Sequence, residues 1–126
     1  YYPMRLHALI RFGQWEAIKA YTPPQNAELF AFTHAVSAYA KAVACAASGD
    51  VAGAEIHRAA FYPAKAAVPE TRVLFNNLCS DILNIGTEML EGELAYTVPI
   101  WDGTANWRGP VRTLTMSGLC TGCMNV

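Results

Sequence analysis

The chain has 126 residues, 53% of them hydrophobic and 15% charged, with a formal net charge of −1. That length suffices for one domain with its own core, and the absence of any basic block removes the electrostatic footprint of a nucleic-acid binder. The apolar stretch Ala35–Ala47 is interrupted by Ser37 and Lys41 and falls short of the roughly 18 to 20 residues that span a bilayer, so no membrane partner is expected.

In chain order, Met4 to Phe12 reads as a first helix that stops at Gly13. A short helix from Gln14 to about Tyr21 follows, and Pro23-Pro24 ends it, because proline cannot continue a helix. Asn26 is placed to cap the next helix. There, Leu29, Phe32, Val36, Ala40, Val43 and Ala47 recur at spacings of three and four and predict one apolar stripe. Gly49 supplies a left-handed stop, and Asp50 caps a fourth helix from Val51 to about Ala60. Pro63 and Pro69 bracket a connector. Glu70 to Tyr96 carries a second long helical pattern with a break near Asn76-Asn77. Its expected apolar face is Leu78, Ile82, Ile85 and Met89; its polar face is Asn77, Asp81, Asn84 and Glu88. After Val98-Pro99 the glycines multiply, and helical periodicity returns only over Val111–Leu119.

Two stretches say nearly the same thing. Gly13 and Gly49 each close an apolar helical run, are followed by a polar residue and then by a second helix. Their separation is close to the about 34 residues of a two-helix repeat. The Arg11-Phe12-Gly13-Gln14-Trp15 turn, the Ala-rich run Tyr39–Gly49 completed by Asp50 and Ala54, and the segment from Asn76 to Tyr96 together resemble tetratricopeptide repeat proteins. The resemblance covers roughly residues 3 to 96. It implies an all-α fold of stacked antiparallel helical hairpins, about two and a half repeats in a short superhelix, at about 2–22, 26–67 and an incomplete 70–96. Residues 97–126 then form an irregular tail. The chain departs from the family pattern at Cys45, where an aromatic is usual, and at Arg58, where Phe or Tyr is.

In such a stack the first helix of each hairpin lines an inner surface. The resemblance therefore implies a groove presenting Arg5, His7 and Arg11, then His34, Ser37 and Lys41, then Asn77, Asp81, Asn84 and Glu88. Charge runs from positive to negative along that series, a gradient suited to orienting a peptide. The same polar stripes are also what any solvated helix face shows. His7, His34 and Asp81 are a further candidate ligand set, and Cys120-Thr121-Gly122-Cys123 has the spacing of half a zinc site or a dithiol. The cysteine pair lacks the second pair of ligands a zinc site needs, and a lone His on a helix face is more often a hydrogen-bonded surface residue. Cys45 and Cys79 fall within apolar helical patterns and read as small buried hydrophobes. Four cysteines are too sparse for a disulfide scaffold, which favours a reducing compartment, the cytoplasm.

The expected function is a non-catalytic protein–protein interaction scaffold, without a cofactor, that binds a peptide or helix on its first-helix face. The alternative is a structural subunit that self-associates through uncapped ends. A metal or redox role for Cys120 and Cys123 ranks third.

Overall fold

The computed structural model describes the backbone of residues 2–101 and the side chains of residues 2–97. The predicted helix at Val111–Leu119 and the Cys120/Cys123 pair lie outside them. Among the described residues the protein is mostly helical, with five helices and one small hairpin of strands.

Helix α1 (Tyr2–Arg11) buries Leu6 completely and packs Leu9 and Ile10 beside it, a stripe at helical spacing. Gly13 then turns the chain with φ 64°. The Gly13 amide donates to the Ile10 carbonyl (3.0 Å) and the Gln14 amide to that of Leu9 (2.9 Å), which satisfies the last carbonyls of the helix. Helix α2 (Trp15–Lys19) is short and buries Ile18. It stops two residues before the expected Tyr21.

Asn26 caps something other than a long helix. Its side chain accepts from the Leu29 amide (2.9 Å) and its carbonyl from the Phe30 amide (3.0 Å), closing a turn ahead of α3 (Ala31–Ala47). Leu29 is consequently outside the helix and exposed. Thirteen of the seventeen residues of α3 are buried, so the expected single stripe is replaced by a helix covered on almost every side. Alanine explains the difference: its small side chain lets neighbours close in from several directions. Helices α1, α2, α4 and α5 all pack against α3, and α4 does so most extensively.

Gly49 repeats the corner of Gly13, with φ 82° and the same two bonds, Gly49 to Ala46 (3.1 Å) and Asp50 to Cys45 (2.9 Å). Helix α4 (Val51–Ala66) starts with the Asp50 carboxylate accepting from the Gly53 amide at 2.9 Å. It does not end near Ala60. The helix continues through Pro63, whose ring is on the solvent side and whose carbonyl accepts from the Ala67 amide at 3.0 Å.

The stretch expected to start the last helix forms strands instead. β1 (Val73–Leu74) pairs antiparallel with β2 (Asn77–Leu78) across a two-residue turn in which Phe75 has φ 55°. Helix α5 (Cys79–Trp101) begins directly afterwards and runs past Tyr96, into the segment expected to be irregular. Its core stripe is Cys79, Leu83, Leu90 and Leu94. Leu78, Ile85 and Met89, expected to face inward, are exposed.

Candidate interaction cleft

Helix α5 therefore has two apolar faces, one spent on the core and one open. The open face forms a cleft of about 220 Å³ with α1 and α3, lined chiefly by His7, Val36, Tyr39, Ile82, Ile85 and Met89. Phe61 of α4 closes its floor, fully buried, with its ring 6.4 Å from that of Tyr39. Burial, and secondarily the nearby Glu93 carboxylate, push the Tyr39 hydroxyl above its ordinary pKa.

A polar clamp sets which face of α5 opens. Arg58 of α4 grips Glu91 with both ends of its guanidinium, Nε to Oε1 at 2.8 Å and Nη2 to Oε2 at 2.7 Å, and Tyr62 donates to the same carboxylate. Arg58, then Tyr62, hold the Glu91 carboxyl below the usual carboxylate range. One turn earlier Lys65 donates to Thr87 (2.7 Å), whose hydroxyl donates to the Leu83 carbonyl (2.8 Å). Together with the leucine stripe these contacts fix the rotation of α5 about its axis. Arg58 thus ties α4 to α5.

The ten residues expected in a polar groove are not all brought together. His7 alone among them lines the cleft. Arg5 lies two residues before it, hence on nearly the opposite side of α1, close enough to Tyr21 for its charge to act on that hydroxyl. Arg11 is exposed at the carbonyl end of α1, one turn beyond His7. His34 turns the other way and donates from Nε2 to the Pro24 carbonyl at 2.8 Å, tying down the loop after α2. Ser37 is buried, which removes it from any groove. Lys41 is half-buried near His57, where it adds to burial in lowering the pKa of that imidazole. Asn77 belongs to β2, not to a helix. Asp81, Asn84 and Glu88 do form one exposed stripe, along the edge of the open face of α5.

His7, His34 and Asp81 form no ligand set: among the described residues no group of three or more His, Cys, Asp or Glu is arranged to hold a metal ion. Cys45 and Cys79 are buried free thiols, and burial pushes both pKa values up. No described helix is long and apolar enough to cross a membrane. Ile82, Ile85 and Met89 were expected in sequence as one apolar face of α5. Their signal was the pair of apolar stripes on one helix.

Compared with protein-family models, with curated proteins and with solved structures, the chain has no match in any of the three.

Proposed function

We propose that the protein is a non-catalytic interaction scaffold, built of stacked helical hairpins in the manner of tetratricopeptide repeat proteins, that docks a peptide or helix of another protein. The observation that carries this reading is the open apolar face of α5, where Ile85 and Met89 are 63% and 55% exposed beside a cleft shared with α1 and α3. Folding does not require that face, since Leu83, Leu90 and Leu94 already supply the core contact. Contiguous apolar surface rimmed by polar residues is characteristic of a docking site. The matched corners at Gly13 and Gly49 support the repeat reading.

The test is titration of the full chain with a labelled amphipathic helical peptide, monitored by fluorescence anisotropy. Met89→Asp is expected to weaken binding about tenfold or more, since it places a charge in an apolar contact, with helical content by circular dichroism unchanged. Lys41→Glu, on the other side of α3, is expected to leave binding intact. Unchanged affinity in Met89→Asp overturns the assignment.

Self-association is the second reading, favoured by a separate exposed apolar patch. Leu29 and Val73, 56% and 59% exposed, line a second cavity of about 360 Å³ together with Tyr2, Phe30 and Leu74. Sedimentation that shows concentration-dependent species, abolished by Val73→Lys, supports this reading; a monomer across the range refutes it.

A further inference from the structure

Building on the scaffold reading, we infer that the cleft takes an amphipathic helix with a basic flank, carried by a different protein and not by a second copy of this chain. Ile82, Ile85, Met89, Gly92 and Tyr96 recur along α5 at alternating spacings of three and four, the seam spacing of two helices packed side by side. Of these, Ile85, Met89 and Tyr96 are exposed large hydrophobics. At Gly92 an added methyl group meets open space, so the seam dips there and admits a close backbone approach.

The flanks of the seam decide the occupant. Asp81 and Glu88 lie one turn before and one turn after Ile85, and Glu93 lies one turn from both Met89 and Tyr96, so each carboxylate borders a seam residue. All three are exposed. The ion pairs among the described residues join Lys19 to Glu16 and Arg58 to Glu55 and Glu91, which leaves these three carboxylates without a basic partner. Glu91 is already engaged by Arg58 and plays no part.

Two copies of α5 packed seam to seam would set carboxylates against carboxylates. A helix with Lys or Arg beside its apolar stripe pairs with them. Charges in these flanking positions choose the partner, through attraction to one sequence and repulsion of the other. Arg11, one turn past His7, carries the opposite sign at the α1 edge, so the basic flank belongs along α5.

The probes are two synthetic helical peptides of about 18 residues, five turns, with identical Leu/Ile seams and either Lys or Glu on the flanks. Each is titrated into the full chain at about 50 and about 200 mM salt, a range over which screening of exposed charges increases. The Lys peptide is expected to bind about tenfold or more tighter than the Glu peptide, with a smaller advantage at higher salt. The double substitution Asp81→Lys/Glu88→Lys is expected to reverse the preference. Equal affinities for the two peptides overturn the basic-partner inference while the cleft reading stands. Binding of neither overturns the cleft reading as well. A dimer that Met89→Asp abolishes would put a second copy in the cleft and would also overturn the inference.

Discussion

At Gly13 and at Gly49 the backbone turns the same way, and the next residue in each case has almost the same conformation: Gln14 at φ −82°, ψ 62°, and Asp50 at φ −85°, ψ 78°. Yet α2 has five residues and α4 has sixteen. The corner is a local property of glycine and its carbonyl bonds. The length of the helix beyond it has other causes. Asp50 caps α4 with its side chain while Gln14 makes no such bond, Pro23-Pro24 stops α2, and α4 alone finds a long face of α3 to pack on.

The largest effects should come from the buried side chains of the helices that follow the two corners. Phe61→Ala is expected to cost about 3–5 kcal/mol in urea unfolding, because it empties fully buried space between α3, α4 and the cleft. Ile18→Ala in α2 removes a fully buried side chain too. A five-residue helix has little cooperative stability of its own, so this loss should emerge as faster amide exchange in α1 and α2 with α3 and α4 still protected. Uniform loss of protection in that variant would show that α1 and α2 open only together with α3 and α4.

Gly13→Ala and Gly49→Ala come next, each forcing a Cβ into left-handed backbone at about 1–2 kcal/mol. Equivalent corners predict similar local strain; an effect at only one of them would end the equivalence. Thermal melts of the two variants provide the comparison.

The α4–α5 clamp contributes less, since the Arg58–Glu91 pair is partly exposed: Glu91→Gln should cost about 0.5–1 kcal/mol at neutral pH. The pKa of Glu91 is lowered on folding, so its stabilisation is present above the ordinary carboxylate range and is lost as pH falls through the folded value. Parent and variant should therefore converge in stability as the carboxyl protonates. His57 has a folded pKa below its ordinary 6.5, so it too favours the folded state above that value and weakens it below. His57→Gln should flatten the stability profile just under pH 6.5, measured by denaturant midpoint.

The smallest changes address the caps directly. Asp50→Ala should cost about 1 kcal/mol, and Gln14→Asp, which gives α2 the residue that α4 already has in the same backbone geometry, should gain about 0.5–1 kcal/mol. Calorimetric midpoints check both; no gain from Gln14→Asp would mean that α2 is limited by its proline stop alone.

The corners were legible because glycine after an apolar run, followed by a polar residue, is a strong local signal. The central place of α3 was only half legible. Its large side chains mark one stripe, while the alanines that admit the other neighbours look the same buried or exposed. The strands at Val73–Leu78 are two residues each, too short for any alternation to register, although Asn76-Asn77 did mark the break. The cleft was least legible. Hydropathy shows that α5 carries Ile82, Ile85 and Met89 on one side, but the choice between that side and the Leu83, Leu90, Leu94 side rests on Arg58–Glu91 and Lys65–Thr87, contacts between residues far apart in sequence. The polar face of α1 was less legible, because Arg5 and His7, two positions apart on one helix, lie on different sides and only His7 lines the cleft.

Whether α1 and α5, distant in sequence, form one docking cleft across α3 is tested most directly by hydrogen–deuterium exchange. The full chain is compared with and without the Lys-flanked helical peptide. Added protection is expected in both α1 and α5, around His7 and Met89, with the outer face of α4 unchanged. Protection confined to the Val73–Leu78 hairpin, or to α5 without α1, would contradict a shared cleft.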